Sequence, residues 1–155
     1  MTTSHAAGET AGHADTPIKG AVLRPAELPA TDRGGGAKTI PLVTRKVGSQ
    51  QMLNGMTIIP PGAVIPLHTH NCEESVMVIE GRGVVELDGI DHEVDTFDTT
   101  WVPANVPHRF RNTSGESPLR IFWTYVSADA TRTLVATGET RSGPEGASLL
   151  ARIGR

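Results

Sequence analysis

A chain of 155 residues with a formal net charge of −3 and a sequence pI of about 6.0 is long enough for one domain with a sizeable core. It lacks the clustered basic face that phosphate backbones demand, which argues against a nucleic-acid partner. No run of about 18 apolar residues exists to span a membrane, and the single cysteine, Cys72, permits no internal disulfide. With no apolar segment behind a basic start, the expected compartment is the reducing cytoplasm.

In chain order, residues 1–16 are small and polar, and His5 and His13 belong to this tail. Residues 17–36, with Pro25, Pro29 and Gly34-Gly35-Gly36, read as an extended arm. Together, 1–36 form a flexible N-terminal tail and arm, 37–137 a β-barrel domain and 138–155 a second flexible tail. Seventeen glycines and eleven prolines punctuating short apolar runs are the profile of an all-β sandwich or barrel. The predicted strands are Met56–Ile59, Val76–Ile79, Val84–Leu87, Thr99–Val102, Arg109–Arg111 and Leu119–Val126, with hairpin turns at Gly81-Arg82-Gly83 and Asp88-Gly89. Ala128–Val135 is read as a short turn of helix, and His92 as a solvated residue of the polar hairpin Asp91-His92-Glu93.

The chemistry concentrates between Gly62 and Asn112. Successive strand residues face opposite ways, so His68 and His70 point to one side with Thr69 to the other. Glu74 follows at a further even interval, at the mouth of the apolar run Ser75–Ile79. Downstream, His108, Phe110 and Asn112 share a face, leaving Arg109 and Arg111 to water. Three imidazoles and one carboxylate suit one divalent first-row metal ion per chain and leave positions open on an ion that prefers six ligands. A structural zinc would more often use a closed, cysteine-rich set. Two surface histidines on an edge strand are the bland alternative, and Glu73 is the rival carboxylate; the parity and register of all four residues favour the metal and Glu74. Cys72 sits nearby, with nothing to mark a lowered thiol pKa.

These residues resemble the cupin superfamily. Gly62, His68, His70, Glu74 and Gly81 match the first cupin motif without departure, and Pro103, His108 and Asn112 match the second. Phe97 and Asn105 stand where that second motif has glycines; asparagine tolerates positive φ, whereas a phenylalanine there leaves the loop before Asp98 open. The resemblance spans roughly Ile40 to Ala128. It implies a cupin-type double-stranded β-helix, or jelly-roll barrel, with a metal bound by His68, His70, Glu74 and His108. Iron or manganese is favoured, and nickel, copper or zinc is compatible. Terminal arms in small cupins commonly cross to a partner subunit, so a homodimer is implied.

Parity with the ligands puts Val76, Val78 and Phe110 inside, and Met56 with Ile58 is expected to join them around a small-molecule substrate. Val43, Arg45 and Val47 share a strand face, so Arg45 either points inward to hold an anionic substrate group or snorkels at the rim. In Ile121–Val126 the sequence leaves the inward face open; if it is that of Ile121, Trp123 and Tyr125, Tyr125 brings a hydroxyl to the substrate. Three functions fit: a metal-dependent dioxygenase, a non-redox isomerase, lyase, decarboxylase or cyclase using the metal as a Lewis acid, or a non-catalytic binding module. The dioxygenase stands first, because no acid/base pair is evident beside the ligands. No catalytic group beyond the metal is assigned.

Overall fold

A computed structural model describes residues 19–143. In chain order its strands are β1 (Thr31–Gly34), β2 (Ala37–Pro41), β3 (Leu53–Ile59), β4 (His68–His70), β5 (Glu74–Glu80), β6 (Gly83–Leu87), β7 (Ile90–Val94), β8 (Thr99–Val102), β9 (His108–Arg111), β10 (Leu119–Tyr125), β11 (Thr131–Leu134) and β12 (Thr140–Ser142). They form two antiparallel sheets, ordered β1-β2-β3-β10-β5-β8 and β12-β11-β4-β9-β6-β7. The result is a jelly-roll sandwich, as the punctuated sequence implies.

The core lies between the sheets and follows from strict alternation. Along β10, Leu119, Ile121, Trp123 and Tyr125 are buried and the residues between them are not, which settles the face that the sequence leaves open. Asp88 and Gly89, at φ values of 50° and 78°, make the tight turn joining β6 to β7.

Four expectations need correction. Met56 and Ile58 lie on the half-buried outer side of β3, while Leu53, Gly55, Thr57 and Ile59 face the core. Trp123 sets this parity: it lies opposite Gly55 in the β3–β10 ladder and donates its indole N–H to Thr57 at 3.0 Å. Arg45 belongs to no strand. It opens a single 3-10 turn, Arg45–Val47, and is exposed, bonded to Asp129 and the Ala128 carbonyl. Residues 131–134 are strand β11, not a helical turn, because alternate backbone groups pair with β4 on one side and β12 on the other. His92 is exposed as expected, yet it sits in strand β7 opposite Val85.

Strand pairing also runs past both boundaries drawn from sequence. Thr31–Gly34, within the stretch read as an arm, pairs with β2, and Thr140–Ser142 pairs with β11. The remaining tail residues, 1–18 and 144–155, lie outside the described region.

Candidate metal centre

The strand β4 carries His68 and His70 inward at 4% and 3% exposure, and His108 on β9 sits directly opposite His68 at 1%. Glu74 starts β5 in the facing sheet, opposite Tyr125 of β10. The three imidazole centroids are 4.4 to 5.2 Å apart, and one ring nitrogen from each histidine lies within 4.8 Å of the others. Glu74 Oε2 is 2.8 Å from His108 Nε2 and 3.4 Å from His70 Nε2. Two sheets thus converge four ligand-type side chains on one point.

Orientation is fixed from behind. Each Nδ1 lies near a backbone carbonyl: His68 to Pro66 at 2.7 Å, His70 to Thr131 at 2.9 Å and His108 to Val106 at 2.9 Å. A carbonyl only accepts, so each Nδ1 carries a proton; this leaves each inward-facing Nε2 as the atom that would give its lone pair to an ion, once any proton shared with Glu74 has left. Among the described residues, His70 Nε2 is buried with no hydrogen-bond partner, a cost that a bound cation would remove. With metal–ligand bonds of about 2.1 Å, ligand atoms at right angles are about 3.0 Å apart and at the tetrahedral angle about 3.4 Å. The Glu74–His70 separation of 3.4 Å matches the tetrahedral value and the Glu74–His108 separation of 2.8 Å is about 0.2 Å short of the right-angle one, so the residues present fit a divalent ion after a small outward shift.

Electrostatics agree. Burial, and then the neighbouring His108, holds His68 well below its usual 6.5; burial also lowers His70, against the opposing pull of Glu74. Burial would raise Glu74, but the His108 and His70 rings beside its carboxylate, His108 the nearer, prevail and hold it at about 2. At neutral pH the cluster therefore offers unprotonated His68 and His70 and an ionised carboxylate. Glu73, the rival carboxylate, is exposed and accepts the Trp101 indole N–H at 2.9 Å. Burial raises the Cys72 thiol, which packs on the core as an inert group.

Beside the cluster stands an aromatic and cationic wall. Tyr125 packs on His70 with centroids 4.5 Å apart and stacks on Trp123 at 4.7 Å. Burial raises the Tyr125 phenol far above its usual range, so its hydroxyl keeps its proton, and Arg33 Nη2 donates to that oxygen at 3.3 Å. Arg132 lies opposite His70 in the β4–β11 ladder; burial, then the charge of Arg33, lowers its guanidinium to about 9. Val78 and Phe110 are inward as expected, at 1% and 2% exposure, whereas Arg45 and Met56 are not at the site. Arg33 and Arg132 were not foreseen from sequence. Recognising 131–134 as a strand would have exposed Arg132, since cross-strand register alone brings it to His70.

A family model described as Cupin domain matches residues 55–125, the stretch that holds all four ligand-type residues. The chain belongs to the cupin superfamily. Among relatives of this cupin, "Polyketide synthase CurC" of Streptomyces cyaneus is 36% identical over 95 residues, covering 61% of each chain. "Protein SchB" of Streptomyces halstedii is 32% identical over 97 residues, covering 62% of this chain and 70% of that one. The cupin therefore spans about three fifths of CurC and about 70% of SchB. The structure of the polyketide cyclase RemF from Streptomyces resistomycificus superposes with a TM-score of 0.65 at 18% identity, covering 79% of this chain and 84% of that one, a likeness of fold.

The two departures from the cupin motif keep the backbone of the glycines they replace. Phe97 has φ 74° and Asn105 φ 64°, both left-handed. The Asn105 N–H donates to the His70 carbonyl at 2.7 Å, and the Phe97 N–H to the Val78 carbonyl at 2.6 Å. Asn112, the last motif position, is no ligand: its amide nitrogen donates to the Ile59 and Ser117 carbonyls at 2.9 and 2.8 Å, and its oxygen accepts from Ser114 N–H at 3.0 Å, tying the loop before β10 to β3. No helix among the described residues is long and apolar enough to cross a membrane.

Proposed function

We propose that the chain is a metal-dependent enzyme in which His68, His70, His108 and Glu74 hold one divalent first-row ion, and that it cyclises or enolises a small oxygen-rich substrate without redox change. The observation that carries this reading is the convergence of three buried imidazoles, each with Nδ1 tied to a backbone carbonyl, on the ionised Glu74. When bound, the ion supplies Lewis acidity, polarising a substrate carbonyl. Tyr125 and Arg33 supply hydrogen-bond donors beside it, positioned to orient a second substrate oxygen. The Trp123–Tyr125 stack and the apolar inner face around Val78 and Phe110 keep water from the reacting carbons.

Non-redox chemistry is placed ahead of the dioxygenase that the sequence reading puts first. Support comes from the relative named a polyketide synthase at 36% identity and the polyketide cyclase among the structural neighbours. Support also comes from the Tyr125 hydroxyl, held protonated beside His70, which the sequence offered to the substrate on one of two possible faces of the strand. Dioxygenase chemistry at the same ion is the second reading; the salicylate 1,2-dioxygenase of Pseudoaminobacter salicylatoxidans shares the fold at a TM-score of 0.55. Protein reconstituted with Fe(II), Mn(II), Ni(II) or Zn(II) under nitrogen, given linear poly-β-ketones, tests the choice. Ring-closed product without oxygen supports the proposal; turnover that stops under nitrogen and consumes oxygen stoichiometrically favours the dioxygenase.

A homodimer belongs to the same proposal. The outer face of β5 and β8 exposes Met77 and Trp101, with Phe97 leading into β8, an apolar surface at what is, among the described residues, the edge strand of its sheet. Light scattering should return twice the chain mass, and Trp101→Glu should return the chain mass alone. A monomeric wild-type protein would refute this assembly.

A further inference from the structure

Beside the metal centre, where the edges of the two sheets approach, lies a cavity of about 330 Å³ lined by Thr31, Arg33, Pro66, Arg132 and Arg141 among others. It shares walls with the metal centre. Pro66 gives its carbonyl to His68, Arg33 bonds Tyr125, and Arg132 is the cross-strand partner of His70. Two of its arginines are anomalous. Among the described residues neither Arg33 nor Arg132 has a carboxylate within 4.0 Å, although all four arginines of β9, β10 and β12 are paired with one. The acids lining the cavity pair with neither: Asp32 accepts the Gly34 N–H at 2.8 Å, and Glu139 pairs with Arg141, on the same wall, at 2.7 Å.

Arg33 and Arg132 are close enough for each to bear on the electrostatics of the other, and both are partly withdrawn from water. Among the described residues, Arg132 Nε is fully buried with no hydrogen-bond partner, and the Arg132 Nη2 donates to the Arg33 carbonyl at 3.4 Å. Two like charges brought together in a low-dielectric recess repel, and an unsatisfied guanidinium N–H adds a desolvation cost. An oxyanion with two acceptor atoms relieves both, because the guanidinium fork matches that geometry.

We propose that Arg33 and Arg132 form an anion-recognition wall for the substrate, which therefore binds as a delocalised oxyanion, either a carboxylate or the enolate of a β-dicarbonyl. The assignment rests on the metal centre being the reacting site, and it deepens that reading by naming the substrate class. One oxygen pair is held by the guanidiniums while Tyr125, bonded to Arg33 and packed on His70, bridges the wall to the ion. Arg45, the anion anchor suggested by the sequence, is replaced in that role by residues of β1 and β11. The cavity volume sits at the lower end of ligand pockets, suiting a one- or two-ring molecule.

The test uses metal-stripped protein, so that direct coordination of the probe to a metal cannot mimic the result. Benzoate and dimedone, the latter an enolate at neutral pH, are titrated by calorimetry and NMR beside neutral counterparts, benzamide and the methyl enol ether of dimedone. At least one anion should bind, about tenfold or more tighter than its neutral partner. Arg33→Gln and Arg132→Gln should each weaken it about tenfold, with zinc uptake unchanged and thermal melting no lower than wild type, since each removes one of two repelling charges; whichever anion prevails identifies the acidic group. Arg132→Lys, which retains charge without the fork, should recover only part of the affinity. Equal binding of anion and neutral partner, no binding of either anion, or variants that match the wild type would overturn the inference. Metal uptake, measured separately, shows whether the metal reading has failed instead.

Discussion

At the scale of single residues, Phe97 is where the chain departs furthest from its family and still obeys the geometry. A left-handed backbone costs a β-carbon-bearing residue about 1 kcal/mol or more. Phe97 recovers none of this by burial, since its side chain is 72% exposed. Phe97→Gly should therefore raise unfolding free energy by about 0.5 to 1 kcal/mol in urea titrations of the isolated subunit, after allowing for the entropy that glycine adds to the unfolded chain. Destabilisation of that subunit would mean that the phenyl ring makes a contact worth more than the strain. The four ligand-type residues were legible because strand parity and residue type coincide. Arg33 and Arg132 were not, because an arginine on an unrecognised strand looks like any solvated cation. Arg45 misled for the converse reason: its alternation with Val43 and Val47 imitates a strand, but the backbone closes a 3-10 turn there.

At the scale of elements, β3 and β10 decide what the pocket is made of. A β-carbon on Gly55 would lie 2.5 Å from the Trp123 ring and 2.7 Å from the Ile40 carbonyl, so the strand must bring bare backbone to the indole. Gly55→Ala should cost about 1 to 3 kcal/mol by the overpacking it imposes. It should also shift the near-ultraviolet dichroism of Trp123, which stacks on Tyr125. An unchanged spectrum and melting point would show that the ring has room to move. Apolar runs such as Val76–Ile79 announced their strands, and Asp88-Gly89 its hairpin. The strands β7 and β11 carry mostly polar residues and owe their structure to ladder pairing on a neighbouring strand, which periodicity does not report. The parity of β3 was misread for a related reason: glycine and threonine, not the larger Met56 and Ile58, face the core, because a tryptophan from the next strand fills the space.

At the scale of the molecule, the metal centre makes the metal-free protein acid-labile. The folded-state pKa values of His68 and His70 lie below their unfolded value of 6.5, and that of Glu74, at about 2, lies below 4.5. The unfolded chain therefore binds more protons than the folded one as pH falls below about 6.5, and again below about 4.5. Stability contributed by these groups is fully present above those unfolded values and is lost on acidification. Guanidinium titrations of metal-stripped protein from pH 8 to pH 4 should show a steady decline; a rise between pH 7 and pH 5 would contradict unprotonated imidazoles in the fold.

Metal uptake should follow the same direction, since protonated ligands cannot bind. The most direct measurement is elemental analysis of wild-type protein and His108→Ala, each reconstituted with excess Zn(II) and desalted at pH 7.5, with circular dichroism as a check on folding. The four-ligand assignment predicts one ion per wild-type chain, and a folded variant that retains little or none. A His108→Ala protein that keeps a full equivalent, or a wild-type chain that takes up none, would contradict it.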